Sequence, residues 1–322
     1  DYYWEKRKDI LIQRSSLPSM AGFDASIYAN MGEMDNKGVD ANLEYQTRIG
    51  NKVGLRLFGN LTYSKNKIVF RDEPAMQYAY QKSEGTRYGE FYGYIAEGYF
   101  QSEEEIKKSP RQMRELAPGD IKYKDLNDDG VIDANDQCYL GKSWFPSWSY
   151  GMGFNINYHN FDLALFFQGV SDVSIMANGG SIDTGNGDWG ASGVGIVPFT
   201  GMGLNPSNVI TKALDRWTAD NPRADAWYPR MTANATTNDN NYVNSTHWLK
   251  DGSYLRLKQA SLGYTLENKK LMDKGIEYLY FYLSGQNLLT FSKFKLWDPE
   301  LGSNGAKYPL SRMVTLLSLI HI

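Results

Sequence analysis

The chain has 322 residues, of which 42% are apolar and 14% aromatic, and its formal net charge is −3. No run of about 18 apolar residues occurs, which excludes a helical membrane span. Charges of both signs are mixed and form no basic stripe, so nothing indicates a nucleic-acid partner. The single cysteine, Cys138, excludes an internal disulfide and a cysteine metal cluster.

Apolar and polar residues alternate on both sides of a tight turn at Gly50-Asn51. From Val39 to Ile49 and from Val53 to Tyr63, the odd-numbered positions are mainly aliphatic or aromatic. The even-numbered positions are mainly charged, amide-bearing or hydroxylic. A period of two places these sets on opposite faces of a sheet. Such two-faced, long strands are typical of a transmembrane β-barrel between lipid and water, and this is the fold class that we predict.

The same pattern continues along the chain and predicts eight strands. Short links at 50–52, 159–160 and 267–275 alternate with long links at 14–36, 69–147, 171–253 and 291–307. An antiparallel up-and-down barrel requires that alternation, with long loops on the extracellular side, whereas a Greek-key sandwich does not. The predicted strands are 2–13, 37–49, 53–68, 148–158, 161–170, 254–266 and 276–290, with a truncated eighth strand beginning near Tyr308.

The two longest links are too long to be bare connections in a compact domain. We predict a small hairpin in which residues 91–94 pair with 98–100. Ser102 is placed to cap a short helix with Glu105 completing a capping box. The second link is rich in Gly, Asn, Asp and Ser, and its helical spacing is confined to 207–218.

Residues 125–136 (DLNDDGVIDAND) match the pattern of a calcium-binding loop. Gly130 permits the sharp turn of such a loop, and Ile132 would pack inward. An Asp at the last position, where a bidentate Glu is usual, predicts weaker binding. The flanks do not resemble EF-hand helices, and an Asp/Asn/Gly turn without metal is the open alternative. The predicted Ca²⁺ ligands are Asp125, Asn127, Asp129, the backbone carbonyl of Val131, Asp133 and Asp136.

Catalytic signals are poor, and we predict that the protein is not an enzyme. His159, His247 and His321 stand in no nucleophile or zinc motif, and carboxylate pairs such as Asp298 and Glu300 occur by chance in most chains. Tryptophans near strand ends can stack on sugar rings, but a place in an aromatic girdle or in loop packing is the favoured role for each. They are Trp144, Trp148, Trp189, Trp217, Trp227, Trp248 and Trp297.

Several segments, in order along nearly the whole chain, resemble SusC/RagA-type TonB-linked outer-membrane transporters. The loop at 125–130 and the stretch 285–290 are the most specific of them. The segments are 30–40 (NMGEMDNKGVD), 118–123 (PGDIKY) leading into 125–130 (DLNDDG), 251–258 (DGSYLRLK), 285–290 (GQNLLT), and 297–300 (WDPE) followed by 308–310 (YPL).

The resemblance implies the C-terminal part of a 22-stranded barrel in the outer membrane of a Gram-negative bacterium. It implies import of oligosaccharides or peptides together with a SusD-like surface lipoprotein that caps the barrel. Energy would come from TonB through an N-terminal region, and the family's plug and TonB box are not in this stretch. The loops 69–147 and 171–253 would form the rim that meets the lid or lines the cavity, whereas the residues that bind cargo stay unknown.

The chain begins inside a strand-like segment without the features of a signal peptide, so we expect it to belong to a longer protein. Eight strands would also leave two open sheet edges. We assign 1–315 to the barrel. Residues 316–322 lack clean alternation and a terminal aromatic residue, and we predict that they are a non-native tail. The alternative functions are a soluble β-rich glycan-binding module with a calcium loop, and a glycan-active enzyme, for which no acid/base pair is found.

Overall fold

The computed structural model describes residues 1–16, 27–50, 52–178, 210–231, 240–305 and 307–322. No α-helix in these ranges is long and apolar enough to cross a lipid bilayer. The strands are β1 (Tyr2–Gln13), β2 (Tyr28–Ile49), β3 (Val53–Phe70), β4 (Glu90–Gly93), β5 (Ala96–Tyr99), β6 (Ile121–Tyr123), β7 (Cys138–Ser143), β8 (Trp148–Tyr158), β9 (Phe161–Ser171), β10 (Ser174–Met176), β11 (Leu249–Asp251), β12 (Tyr254–Leu266), β13 (Tyr278–Ser292) and β14 (Met313–His321). The helices are α1 (Glu103–Lys108) and α2 (Lys269–Met272), with 3₁₀ turns at Ala79–Gln81, Ala134–Asp136, Thr211–Leu214 and Pro299–Leu301.

Eight long strands form one antiparallel sheet in the order β1-β2-β3-β8-β9-β12-β13-β14. Each of these strands pairs with the next long strand along the chain, so the predicted up-and-down meander is confirmed. Gly50 (φ 60°) and His159 (φ 52°) take left-handed backbone conformations in the two tightest turns. Asn51, which was predicted to share the first turn, lies outside the described residues.

The cross-strand register keeps the apolar set on one face of the sheet. Leu43 is opposite Gly59, Gly59 is opposite Met152, and Met152 is opposite Phe167. A bulge between Leu257 and Gln259 shifts the count by one residue on β12, and the alternation continues past it. We call the side of this apolar set the apolar face and the other side the polar face.

Strand boundaries differ from the prediction mainly at the long-loop end. β2 begins at Tyr28 rather than at Lys37, because residues 28–36 pair with β1 although both of their faces carry polar side chains. The last strand begins at Met313 rather than near Tyr308. It pairs with β13 as far as His321 and so includes most of 316–322. Backbone hydrogen bonds between strands form whether or not the side chains alternate, so this pairing does not test the origin of residues 316–322. Their non-native origin stays a prediction.

The two longest links contain short strands, but their pairing corrects the predicted hairpin. Residues 91–94 and 98–100 do not pair with each other: β4 pairs with β7, and β5 pairs with β6. The partners come from much later in the link, which local turn signals cannot reveal. The predicted cap by Ser102 is present, because Ser102 Oγ accepts a hydrogen bond of 3.2 Å from Glu105 N. The reciprocal half of the predicted capping box is not formed, since the Glu105 carboxylate accepts from Gln101 N rather than from Ser102 N.

Candidate functional site

The apolar face carries aromatic residues at two levels. At the long-loop end, the rings of Tyr63 and Trp148 lie 4.4 Å apart, centroid to centroid. At the short-turn end, Phe161 and Tyr264 lie 4.7 Å apart. Mainly apolar side chains, both aliphatic and aromatic (Phe154 and Phe167 among them), fill the band between these levels, and Leu43 there is 75% exposed. Two aromatic belts around an exposed apolar band are the pattern of a lipid-facing wall.

The height of this band fits a bilayer. Ten residue steps separate Trp148 from Tyr158 on β8, which is about 33 Å at roughly 3.3 Å per residue. With a strand tilt of about 40°, the band is about 25 Å tall, the height expected for a transmembrane barrel.

The long loops turn over the polar face rather than the apolar one. Tyr88 N donates a hydrogen bond of 2.7 Å to Asn66 Oδ1 on the polar face of β3. Ile68 on the same face is buried, and Arg256 on the polar face of β12 is 1% exposed. The polar face is therefore the one that the loops cover, as expected for the inside of a barrel.

Residues from the links 71–147 and 172–253 pack into one shared core, which we call the rim cluster. Trp248 is fully buried at its centre, and its ring lies within 5.7 Å of the rings of Trp227, Tyr228, Tyr242 and His247. The described parts of the two links thus form one folded unit at the end of the sheet. The buried members of the rim cluster are Phe91, Tyr94, Tyr99, Ile121, Tyr123, Ile132, Met176, Ala213, Trp217, Ala226, Tyr228 and Trp248.

A buried ion pair ties the two links together. Asp120 is 1% exposed, and its carboxylate accepts a hydrogen bond of 2.9 Å from Arg230 Nη2. Asn241 Nδ2 donates to the same carboxylate at 2.8 Å. Asn241 Oδ1 accepts from Ile121 N at 2.9 Å, so its side chain also satisfies the backbone of β6. These partners lie more than a hundred positions apart in the sequence and showed no local signal.

His247 belongs to the rim cluster and is held neutral. Its Nε2 lies 3.2 Å from the carbonyl oxygen of Trp227 and 3.3 Å from Tyr99 OH. Burial, followed by the neighbouring Lys250 ammonium, lowers the pKa of His247 to about 4. The other two histidines lie far away, His159 in a short turn and His321 on β14 beside Glu277.

The fourth long link folds onto the rim through a second buried charge. Arg256 Nη2 donates to both carboxylate oxygens of Asp298, at 2.6 and 2.8 Å, and lies 3.4 Å from Glu300 Oε2. Phe294 packs with Ile175 in a small apolar core beside this pair. In the sequence, Asp298 and Glu300 have the spacing of a chance carboxylate pair. Only the pairing of β12 with β13 shows that they converge on an arginine.

The tryptophans take structural positions where the structure describes them. Trp217 and Trp248 are buried in the rim cluster, and Trp144 and Trp227 pack against it. Trp148 lies in the upper aromatic belt, and Trp297 packs on Phe294. These positions agree with the girdle and packing roles that were favoured, while Trp189 lies outside the described residues.

The predicted calcium loop is closed by hydrogen bonds from its own backbone. Asp125 accepts from Asp128 N at 2.7 Å and from Gly130 N at 2.8 Å, and Asp129 accepts from Val131 N at 2.9 Å. Residues 128–130 of this bend are exposed, and the backbone carbonyl of Gly130 accepts a hydrogen bond of 2.9 Å from Arg111 N.

The end of the loop is held differently. Asp136 is fully buried, and its two oxygens accept from Leu126 N at 2.7 Å and Asp133 N at 2.9 Å. Asp133 caps Asn135 N at 2.7 Å, and Asn127 Nδ2 donates to Asp129 at 2.9 Å. Within the described ranges, no group of three or more His, Cys, Asp or Glu side chains is arranged to hold a metal ion. In this conformation the donors do not form a cation cage, and calcium binding stays a prediction.

Taken together, a meander with one lipid-type face and folded loops over the other defines the wall and rim of an outer-membrane-type β-barrel. Sequence relatives narrow the class of protein to which the chain is similar. The chain is 28% identical over 314 residues to TonB-dependent receptor P3 of Formosa agariphila, covering 93% of this chain and 28% of that protein. It is 23% identical over 328 residues to TonB-dependent receptor SusC of Bacteroides thetaiotaomicron, covering 98% of this chain and 29% of that protein. No family model matches the chain.

Solved structures agree on the fold. The RagAB peptide importer in the "open-open" state superposes with a TM-score of 0.70 at 22% identity, over 100% of this chain and 32% of that one. The "closed-closed" state gives a TM-score of 0.66 at 23% identity. The resemblance seen in the sequence is confirmed: the chain is a homologue of TonB-dependent receptors that include SusC, and it spans about a third or less of their length.

Proposed function

We propose that this chain forms part of the wall and the outer rim of an outer-membrane importer that depends on TonB. The observation that carries the proposal is the two-faced meander, whose apolar face stays exposed while the loops cover its polar face. The relatives are named as receptors and the structural neighbours as a peptide importer, and none is named as an enzyme. In this proposal the chain binds and guides cargo and performs no chemistry on it.

The rim cluster is the proposed contact with a SusD-like lipoprotein lid. It is a folded unit held by its own core and by the Asp120–Arg230 pair, so it can present a defined surface above the barrel. Similarity to the RagAB peptide importer supports a peptide cargo. An oligosaccharide is the other cargo that the SusC/RagA resemblance of the sequence implies. TonB would act through a part of the protein outside these residues.

Detergent dependence of the full-length protein tests the membrane assignment. The proposal predicts extraction with detergent only and a folded form that migrates faster than the heated form on a gel. Recovery as a monomer from the soluble fraction would instead favour the alternative, a soluble glycan-binding module with a calcium loop.

Co-purification of the lid tests the role of the rim. Asp120→Ala removes the ion pair with Arg230 and leaves the buried side-chain amide of Asn241 without its acceptor inside the rim cluster, and one unsatisfied buried donor costs about 1–3 kcal/mol. The lid lipoprotein should be lost from the purified complex while the wall keeps its heat-modifiable mobility. Asp225→Ala is the matched control, because the Asp225 side chain is 80% exposed. Retention of the lid by both variants would assign the lid contact to another part of the protein.

A further inference from the structure

Four lysines lie close together on the apolar face, just beyond the aromatic belt at the long-loop end. In the register of β1, β2 and β3, Lys37 is directly opposite Lys65. One row further from the short turns, Asp35 is opposite Lys6 on one side and Lys67 on the other. We call Lys6, Lys37, Lys65 and Lys67 the lysine patch.

Strand alternation fixes the side of the sheet on which the patch lies. Lys37 and Lys65 are two residues beyond Val39 and Tyr63, which are themselves paired on the apolar face. All four lysines are exposed. The patch therefore sits on the outside of the wall, at the level where the apolar band ends and the long loops begin.

The charge of the patch is not neutralised by the protein. Four lysines surround one aspartate, and no ion pair is formed by any of the four within the part of the chain that the structure describes. Lys6 Nζ and Lys37 Nζ instead lie 4.7 and 4.8 Å from the ring of Trp4. Like charges directly opposite on paired strands are destabilising, so the Lys37–Lys65 pair favours an external anion.

Other charges on the same strands are paired, which sets the patch apart. Arg56 forms two hydrogen bonds with Glu44 on the polar face, and Arg7 pairs with Glu5. Lys8, the next lysine on β1, lies 3.6 Å from Glu33.

We propose that the lysine patch binds the phosphate groups of anionic lipids in the membrane leaflet on the long-loop side. The proposal rests on the membrane orientation given above. Lysine stems can lie along apolar surface while their ammonium groups reach the polar interface. An exposed aromatic ring, here Trp4, also favours that level of the bilayer. Phosphate is a natural partner for an ammonium group, which acts as a point charge.

The test compares lipids bound to the full-length protein by native mass spectrometry, with phosphatidic acid and phosphatidylcholine as probes. One basic residue near an anionic surface contributes about fivefold in affinity, so two engaged lysines predict a preference of roughly 25-fold for phosphatidic acid. The variant with Lys6→Gln, Lys37→Gln, Lys65→Gln and Lys67→Gln should lose that preference. Replacing the same four lysines by arginine should keep it.

The matched control removes four exposed lysines at the opposite, short-turn end: Lys52→Gln, Lys269→Gln, Lys270→Gln and Lys274→Gln. It should change the preference by less than twofold. The proposal is overturned if the patch variant keeps the preference or if the control loses it equally. It is also overturned if inorganic phosphate at the same concentration displaces the lipid, since the site would then bind free anions.

Failure of the membrane assignment would be seen separately. Insertion into nanodiscs of phosphatidylcholine alone depends on the apolar band and not on the lysines, so all variants should insert equally. A protein that inserts without preferring phosphatidic acid contradicts the lysine proposal and leaves the proposed function standing.

Discussion

Asp298 accepts two hydrogen bonds from one nitrogen of Arg256, although the two residues belong to a sheet strand and to the last long link. The side chain of Arg256 is 2% exposed and that of Asp298 is 21% exposed. The two partners therefore differ in what their loss leaves behind. Removing the carboxylates strands a buried cation, whereas removing the arginine leaves carboxylates that water can still reach.

We predict an asymmetric response to substitution at this pair. Asp298→Ala combined with Glu300→Ala should destabilise the rim by about 3–5 kcal/mol, the cost of an uncompensated buried charge. Arg256→Met should cost less, since it fills the same volume without a charge. Trypsin cleavage at Lys293, Lys295 and Lys307 in the purified full-length protein measures the opening of this link. Equal cleavage of the two variants would show that the uncompensated charge of the buried Arg256 does not determine the stability of this link.

The sequence predicted those parts of the fold that sit in the apolar band. β8 and β12 have the predicted limits, because alternation there reflects two different solvents. β1 also has its predicted limits, although it pairs with residues 28–39 of β2, most of which lie beyond the apolar band. The segment 28–36 was missed because it extends β2 beyond that band, where neither face needs to be apolar. β13 begins at Tyr278 rather than at 276, since Ile276 N closes the preceding turn on Leu271 O.

The rim could not be predicted from local patterns. Ile121 N finds its acceptor on Asn241, 120 positions later, and nothing near either residue announces the contact. A loop strand of three residues such as β6 is too short to show an alternation of apolar and polar residues, and here its backbone is bonded by a distant side chain. The helix cap at Ser102 was predictable for the opposite reason, since its partner Glu105 is three residues away.

Aromatic rings over glycines on the polar face give a second prediction. A Cβ atom at Gly153 would lie 2.5 Å from the Phe58 ring and 2.7 Å from Leu165 O. Gly153→Val should therefore lower the thermal midpoint of the barrel, at a cost of about 1–3 kcal/mol for overpacking. Gly54→Ala is the control, because its nearest neighbour would lie 3.7 Å away. Phe58→Ala added to Gly153→Val should recover part of the loss, and no recovery would point to the backbone contact instead.

The carboxylates of the predicted calcium loop have two different expected roles, which are metal binding and hydrogen bonding to the loop backbone. If the loop binds Ca²⁺, calorimetric titration of the full-length protein should show heat that Asp125→Ala and Asp129→Ala abolish. The same null trace in wild type and both variants would mean that the loop works without metal. Asp136→Ala is expected to loosen the loop with or without calcium, because the buried Asp136 satisfies Leu126 N and Asp133 N. Proteolysis rates at this loop, measured with chelator present, check that second role.

Acid should weaken the rim cluster through His247. Its pKa is lowered to about 4 in the fold, below the usual value of about 6.5 in an unfolded chain. The unfolded rim therefore binds more protons between these values. Stability is full above about pH 6.5 and falls as the pH drops toward 4, by a few kcal/mol at most. Hydrogen exchange of residues 240–250 at pH 7 and pH 4.5 measures the change. His247→Phe should reduce the pH dependence, and an unchanged dependence would place its origin elsewhere.

Spin labels along β2 test the two-faced wall itself. From residue 39 to 49 each label should switch between oxygen accessibility, typical of lipid, and accessibility to a water-soluble relaxation agent. The structure adds a limit to this pattern, since Lys37 and the residues before it lie beyond the aromatic belt. Labels at 29, 31 and 33 should therefore lack the lipid signature that labels at 41, 43 and 45 display. A flat accessibility profile through 39–49 in the full-length protein would contradict the lipid-facing assignment of this face. Alternation of accessibility that continued through 28–36 would show that the apolar band extends further toward the long loops.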